Sequence, residues 1–166
     1  MSARFSLKLL ESEDRSDFSC GSKQLDEYFK QRASQDMRRR AAGCYITIEK
    51  TTGLIAGFYT ISAAHTELKA LPESWKKQLP KYPRVPTVLV GRLAVDERFR
   101  GLKIGSALIL DAAARAMRSE LIVSLMAVEA KDDAAAQFYL HHGFKRDPNN
   151  LNYLFAPVKT LATGFG

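Results

Sequence analysis

Residues 87–108 read "TVLVGRLAVDERFRGLKIGSAL". The pattern of apolar, charged and glycine residues changes along this stretch, and this change decides the fold. The first nine residues are mostly apolar, which predicts a buried β-strand. From residue 104 onward, apolar side chains recur at a spacing of four and predict one apolar helix face: Ile104, Leu108, Ala112 and Ala116, with Ile109, Ala113 and Met117 beside them. The stretch is therefore predicted to form a strand, a turn and a helix.

The turn between this strand and this helix concentrates positive charge and glycine. It contains Arg98, Arg100 and Lys103 together with Gly101 and Gly105. A helix N-terminus presents backbone N–H groups and a partial positive charge, and glycine allows close approach of the backbone, so such a turn suits a phosphate. Neither the Gly-Lys-Ser/Thr of a P-loop nor the Gly-x-Gly-x-x-Gly of a dinucleotide site is present. Two interpretations stay open, a phosphate site and a solvated connector.

The rest of the chain predicts an α/β fold. Alternating or continuous apolar patterns predict further strands, two of which flank the hairpin signal "TTG" (51–53): 4–10, 44–50, 54–64, 121–128 and 151–157. Helices are predicted at 25–42, as one or two segments, and at 132–144, with Gly143 as its stop. Four of the six prolines make 71–86 a loop with at most one short helix.

The order of these elements predicts a mixed sheet in one domain. The second half runs strand–helix–strand–helix–strand, which implies a parallel strand pair with a right-handed crossover. The hairpin in the first half adds antiparallel strands. Because there is no internal repeat or Gly/Ser-rich linker, residues 1–166 are predicted to form a single domain.

The composition favours a cytoplasmic protein with an anionic partner. Lysine and arginine number 25 against 18 acidic residues, a formal charge of +7. The N-terminus has no signal-peptide core, and no apolar run approaches membrane-spanning length, so no membrane role is predicted. Cys20 and Cys44 have no metal-ligand or disulfide spacing and are predicted to be reduced thiols, and three scattered histidines predict no metal site.

Two ordered motifs resemble one family. "RGLKIG" (100–105) resembles the Arg/Gln-x-x-Gly-x-Gly/Ala acetyl-CoA loop of the GNAT N-acetyltransferase superfamily, although Lys103 stands where the family usually has glycine. A positive φ at this lysine would be strained. "AAAQFYLHHGF" (134–144) resembles the family signature Ala-x-x-Phe-Tyr-x-x-x-Gly-Phe. "FSCGSKQLDEYFKQRASQD" (18–36) is similar to the N-terminal part of GNAT toxins from bacterial toxin–antitoxin modules, so the resemblance spans nearly the whole chain.

The resemblance implies a fold, a reaction and partners. The fold is a twisted mixed sheet flanked by helices, with a splayed parallel strand pair that binds acetyl-CoA. The reaction is acetyl transfer from acetyl-CoA to the α-amino group of aminoacyl-tRNA, which blocks translation, and it needs no metal. The partners are the charged tRNA and a small ribbon-helix-helix antitoxin encoded beside the toxin. The resemblance also points to a homodimer.

The resemblance assigns the coenzyme site and a catalytic tyrosine. The implied coenzyme contacts come from the end of the central strand, the turn and the start of the last helix: Leu93, Ala94, Val95, Arg100, Gly101, Leu102, Lys103, Ile104, Gly105, Ser106 and Asp132. The Tyr139 hydroxyl would donate a proton to the departing coenzyme A sulfur, since a tyrosine is protonated at neutral pH. As alternatives, Tyr139 fills space in the core and Asp132 caps a helix. Asp96 and Glu129 are candidates for a general base or are solvated charges.

Basic residues around the coenzyme turn predict a polyanionic acceptor. Residues 29–43 contain five basic side chains against one acidic side chain, and a second cluster lies in the proline-rich loop: Lys76, Lys77, Lys81 and Arg84. The predicted tRNA contacts are Lys30, Arg38, Arg39, Arg40 and Arg92, each of which would release counterions on binding a phosphate. A solvated helix face, or a surface for an acidic antitoxin tail, would explain the same charges.

Two other functions remain open from the sequence. One is a GNAT enzyme that acetylates a protein N-terminus, a lysine or a small amine. The other is a non-catalytic nucleic-acid-binding or regulatory protein that retains the fold.

Overall fold

The computed structural model describes residues 3–164 and contains the predicted alternation of strands and helices. The strands in these residues are β1 (Phe5–Leu9), β2 (Gly43–Glu49), β3 (Ile55–Glu67), β4 (Arg84–Val95), β5 (Leu125–Glu129), β6 (Lys145–Asp147) and β7 (Asn150–Pro157). The α-helices are α1 (Lys23–Gln31), α2 (Ala33–Arg38), α3 (Glu73–Lys76), α4 (Ile104–Arg118), α5 (Asp133–His141) and α6 (Val158–Ala162). Short 3₁₀ turns occupy Leu68–Ala70 and Glu97–Phe99. None of the helices in this part of the chain has the length and apolar content needed to cross a membrane.

The strands form a seven-stranded mixed sheet in the order β1-β2-β3-β4-β5-β7-β6. β4 and β5 pair in parallel, with Thr87–Val90 beside Leu125–Val128, and α4 connects the two strands. β1 with β2, β2 with β3, β5 with β7 and β6 with β7 are antiparallel. The predicted mixed sheet with one parallel pair is therefore confirmed. After Val90, β4 continues through Gly91–Val95.

Backbone contacts group the chain into two compact units. The first consists of residues 3–62 and 91–111, and its core is built on three phenylalanines. The rings of Phe29 and Phe58 stack with centroids 4.2 Å apart, and Phe18 meets both rings edge-on. This cluster fixes α1 against the sheet strands of the unit. Cys20 and Cys44 are buried here and form no disulfide with each other, which agrees with the predicted reduced thiols.

The second unit consists of residues 63–90 and 112–164. Leu125, Ala127 and Phe155 form its core, and the Trp75 ring of α3 meets the Phe155 ring edge-on at 5.9 Å. The prediction of one domain for residues 1–166 stays a prediction.

The structure corrects the sequence analysis at several element boundaries. The two-segment alternative for the helix at 25–42 is confirmed, with the break at Arg32, but residues 39–42 lie outside both helices. The last predicted strand does not close the chain, because α6 follows β7 directly. The three-residue strand β6 was not predicted, since it is too short to show a period. Met117 is 50% exposed and lies outside the buried face of α4.

Candidate active site

The turn after β4 contains a glycine with a positive φ and leads directly into the N-terminus of α4. It runs from the 3₁₀ turn Glu97–Phe99 through residues 100–103 into α4, and residues 100–103 are exposed. Gly101 has φ +80°, a conformation that glycine adopts without strain. The backbone N–H groups of Ile104 and Gly105, in the first turn of a 15-residue helix, have no acceptor inside that helix. The turn thus offers N–H donors and the positive end of a helix dipole.

Lys103 departs from the glycine expected in this turn, and the structure shows the consequence. Its φ is +60°, in the left-handed region that side chains with a Cβ disfavour. The carbonyl of Lys103 accepts the first helical hydrogen bond of α4, from the N–H of Ala107 at 3.2 Å. The residue therefore combines backbone strain with an exposed ammonium at the mouth of the turn. Strain of this kind persists where the surrounding structure enforces it.

Asp96 is buried at the start of the turn, with only 1% of its surface exposed. The Arg98 guanidinium donates to both carboxylate oxygens at 2.9 Å, and the backbone N–H groups of Arg98 and Ser19 donate at 2.9 and 3.1 Å. Burial acts to raise the pKa of the Asp96 carboxyl, but these hydrogen bonds outweigh it and hold the pKa below its usual value. The expectation of a solvated charge at Asp96 is wrong. Arg98 is also committed to this ion pair, so it adds little free positive charge to the turn.

The end of β4 packs closely against β3. A Cβ at Gly57 would lie 2.9 Å from the carbonyl oxygen of Ala94 and 3.2 Å from side-chain atoms of Ile104 and Leu108. Only glycine allows this approach, which brings β3, β4 and the start of α4 together within the first unit. Leu93 and Val95 flank Ala94 and are half-buried. The predicted coenzyme residues from Leu93 to Ser106 thus belong to consecutive elements of this unit.

Tyr139 and Asp132 lie in the second unit, on and just before α5. The Tyr139 side chain is buried, with ring contacts to Phe138 at 5.2 Å and Phe144 at 5.5 Å. Burial raises the pKa of its hydroxyl, so that the proton is retained at neutral pH. The Asp132 carboxylate accepts a hydrogen bond from the N–H of Ala135 at 2.8 Å and caps α5. The capping alternative for Asp132 is confirmed, and its coenzyme contact stays a prediction.

The predicted tRNA residues lie in the first unit, four of them on or just after its two short helices and Arg92 on β4. Lys30, Arg38, Arg39 and Arg40 are exposed, and Arg40 has φ +58°. Arg92 is held differently, because its guanidinium carbon lies 3.6 Å from the centroid of the Tyr28 ring. The side chains of these two residues form a cation–π contact.

Tyr28 is fixed in turn by α2. Its hydroxyl donates to the Asp36 carboxylate at 2.7 Å. Burial, followed by this hydrogen bond, raises the pKa of the Tyr28 hydroxyl against the opposing charge of Arg92. Sequence reasoning missed both Tyr28 and the anchoring role of Asp96. Residues eight apart on one continuous helix are about 12 Å apart along its axis, so the break at Arg32 makes this contact possible and no local spacing predicted it.

Glu129 is exposed at the end of β5. Lys76 of the second basic cluster forms an ion pair with Glu73 at 2.9 Å, whereas Lys77, Lys81 and Arg84 are exposed. Across residues 3–164, no group of three or more His, Cys, Asp or Glu side chains could hold a metal ion.

Comparison with known proteins finds relatives along nearly the whole chain. The sequence profile of the acetyltransferase (GNAT) family matches residues 7–144. The chain is 29% identical over 154 residues to the tRNA-acetylating toxin of Mycobacterium tuberculosis, covering 92% of this chain and 90% of that protein. The structure of AtaT complexed with acetyl-methionyl-tRNAfMet is 27% identical with a TM-score of 0.84, covering 96% of this chain and 98% of that one.

A further AtaT structure has the same fold. This mutant toxin, bound to acetyl-CoA and to the C-terminus of the antitoxin AtaR, has a TM-score of 0.79 at 22% identity, covering 96% of this chain and 97% of that one.

Proposed function

Since the chain belongs to the GNAT acetyltransferase family, we propose that it transfers the acetyl group of acetyl-CoA to the α-amino group of aminoacyl-tRNA and so blocks translation. The observation that carries the proposal is the pairing, in one unit, of a phosphate-fitting turn with an exposed basic surface at the end of α2. Coenzyme A alone needs few phosphate contacts, so the additional basic surface fits a longer polyanion. AtaT with acetyl-methionyl-tRNAfMet and the tRNA-acetylating toxin, both similar over more than nine-tenths of this chain, support the same acceptor.

The coenzyme would bind along the end of β4 and the following turn. Main-chain groups of Leu93 and Val95, on either side of Ala94, would pair with the pantetheine amides. The pyrophosphate would accept hydrogen bonds from the N–H groups of residues 100–106, aided by the dipole of α4. The Arg100 and Lys103 side chains would add positive charge, and Asp132 would contribute at the start of α5. Acetyl-CoA bound to AtaT supports this half of the proposal.

Tyr139 would act as the general acid. The α-amino nitrogen attacks the thioester carbonyl carbon, a C–N bond forms and the C–S bond breaks. The thiolate of coenzyme A takes the Tyr139 proton, and the nitrogen loses its own proton to solvent. A tyrosine hydroxyl is protonated at neutral pH, so its proton is available when the thiolate forms, and the tyrosinate that remains takes a proton from solvent. The amine of an aminoacyl ester is less basic than a lysine side chain, so a dedicated protein base is unnecessary.

The acceptor would lie along the basic residues of the first unit. Lys30, Arg38, Arg39 and Arg40 would contact the tRNA backbone, where each exposed charge can meet one phosphate. Arg92 would present the edge of its guanidinium, because the Tyr28 ring covers one face. A guanidinium held in this way loses less entropy when it binds a phosphate than a free one.

The regulatory partner would be a small antitoxin of the ribbon-helix-helix type. The antitoxin bound to AtaT supports a proteinaceous antitoxin for this chain. The proposal also includes a homodimer, which the family resemblance implies. It includes a cytoplasmic location, because charged tRNA is a cytoplasmic substrate.

The test is acetylation of total charged tRNA with labelled acetyl-CoA, followed by identification of the labelled aminoacyl ester. The control is the same tRNA after its amino acids have been hydrolysed off. Label on charged tRNA alone is the expected result. Label on peptides or small amines but not on charged tRNA would show that the acceptor is not aminoacyl-tRNA. Binding of acetyl-CoA without turnover on any amine would indicate a non-catalytic protein.

A further inference from the structure

We propose that Asp96 is a positioning residue for coenzyme binding, because it fastens residues 17–21 to the phosphate-binding turn and holds that turn in its binding conformation. The inference rests only on the acetyl-CoA half of the proposed function.

The Asp96 carboxylate is the centre of the connection. Oδ1 accepts from the N–H and Nε of Arg98, and Oδ2 accepts from the Arg98 Nη2 and from the N–H of Ser19. Both oxygens therefore have two donors, at 2.9–3.1 Å, in a buried setting. The N–H of Asp96 donates to the carbonyl of Ala56 at 2.8 Å, which ties the same residue to β3.

Further hydrogen bonds join the two segments on either side of this carboxylate. The carbonyl of Ser19 accepts from the N–H of Glu97 at 2.8 Å, and the Ser19 hydroxyl donates to the Glu97 carboxylate at 3.0 Å. The Arg100 Nη2 donates to the carbonyl of Cys20 at 3.2 Å. At Gly21, whose φ is +90°, a Cβ would lie 2.9 Å from that same nitrogen. Residues 17–21 thus form a brace along residues 96–100, and the φ of +90° within it is one that side chains with a Cβ rarely adopt.

This brace acts on the turn that would bind the pyrophosphate. Asp96 caps the 3₁₀ turn Glu97–Phe99, and Arg100 follows at once. The Phe99 ring is buried and meets the Phe5 ring edge-on at 5.9 Å, which anchors the other side of the 3₁₀ turn. Backbone N–H donors bind an anion best when they already point to one place, because no reorganisation is then needed. Freeing Asp96 would release residues 97–103 and scatter those donors.

Asp96→Asn tests the assignment with little change of shape. The asparagine side chain keeps one acceptor oxygen, but an NH₂ group replaces the other carboxylate oxygen. This NH₂ group would face the N–H donors that the carboxylate oxygen had accepted from. We expect the Kd for acetyl-CoA, measured by calorimetry without any acceptor, to rise about ten- to a hundredfold, as misplacement of a binding group by about 1 Å can do. Backbone amides of residues 97–106 should exchange hydrogen faster, while those of β2 keep their protection.

Glu49→Gln is the matched control. Glu49 is also buried in the first unit, and it accepts hydrogen bonds from Arg4 at 2.7 Å and Thr52 at 2.8 Å, neither of which belongs to the turn. This variant should lose stability, but its affinity for acetyl-CoA should not change. Arg98→Met, at a half-exposed side chain, is a milder second variant that should raise the Kd in the same direction.

An Asp96→Asn protein that loses stability as Glu49→Gln does, yet binds acetyl-CoA normally, would overturn the assignment. Should Asp96→Asn not fold, unchanged affinity in Arg98→Met would overturn it equally. The two proposals fail separately: a wild-type protein that binds acetyl-CoA but leaves charged tRNA unmodified refutes the proposed acceptor and leaves the role of Asp96 standing.

Discussion

Lys103→Gly should stabilise the fold and weaken coenzyme binding at the same time. A residue with a Cβ costs about 1–2 kcal/mol in the left-handed region, where Lys103 stands at φ +60°. Glycine removes that cost, but it destabilises the folded protein by about 0.5–1 kcal/mol because it gives the unfolded chain more conformational freedom. The Lys103 side chain is exposed, so few packing contacts are lost. The net gain in the free energy of unfolding is therefore about 0–1.5 kcal/mol, with a midpoint of about 0.8 kcal/mol.

The opposite effect on binding follows from the lost ammonium. A unit charge a few ångströms from a phosphate contributes about 1 kcal/mol in a largely hydrated setting, which corresponds to roughly a fivefold change in Kd. Lys103→Ala separates the two effects, since it removes the charge but keeps the Cβ. It should match Lys103→Gly in acetyl-CoA affinity and match the wild type in stability.

Arg40→Gly is the matched control for the backbone term. Arg40 has φ +58° and an exposed side chain, so the same relief of strain is expected there. Because Arg40 is not among the residues of the turn, acetyl-CoA affinity should not change. Urea unfolding gives the free energy of unfolding of each variant. Calorimetric titration at two salt concentrations gives its Kd for acetyl-CoA. A Lys103→Gly protein no more stable than Lys103→Ala, or one that binds acetyl-CoA as the wild type does, would refute the reasoning.

Three further predictions concern the tyrosine, the basic surface and the buried carboxylate. Tyr139→Phe should lower kcat by about a hundredfold or more, as for a lost general acid, with acetyl-CoA affinity unchanged; near-normal turnover in a folded variant would remove Tyr139 from the mechanism. Changing Arg38, Arg39 and Arg40 together to Ala should weaken tRNA binding and flatten its log–log salt dependence by up to about one unit per lost contact, and equal slopes would show that these residues do not contact tRNA. The stability that Asp96 contributes is present above the unfolded pKa of about 3.9 and is lost as pH falls through the lower folded pKa. The difference in unfolding free energy between wild type and Asp96→Asn should therefore shrink below about pH 4, and a difference independent of pH would argue against the ion pair.

Local patterns predicted the strand, turn and helix at 87–108 because each part depends on residues close in sequence. The apolar run of β4, the basic turn and the period of α4 are all visible in one stretch. The positive φ at Lys103 could be anticipated for the same reason, since the family pattern places a glycine there. The short elements β6 and α6 could not be predicted from the sequence, because they have only three and five residues and are too short to show a period.

The contacts around the site depend instead on distant residues. Ser19 and Asp96 are 77 residues apart, and no local pattern connects them. From the sequence, Asp96 was a candidate for a general base or a solvated charge beside a strand. Its burial follows from the brace at residues 17–21, which only the folded chain brings into place. The cation–π contact of Arg92 with Tyr28 has the same origin, since it joins β4 to α1.

The distribution of charge within the first unit separates its two anionic ligands. Arg98 is neutralised by Asp96, and Arg100 is partly committed to the carbonyl of Cys20. The hydrogen bond to a neutral carbonyl leaves the charge of Arg100 in place, so the turn would attract a pyrophosphate through backbone N–H groups, the helix dipole, Lys103 and Arg100. The exposed side chains at the end of α2, by contrast, have no such commitments to the turn and can follow a longer chain of phosphates. Loss of charge at Lys103 should thus act on acetyl-CoA, and loss of charge at Arg38–Arg40 should act on tRNA, so the two affinities can be changed independently in one protein.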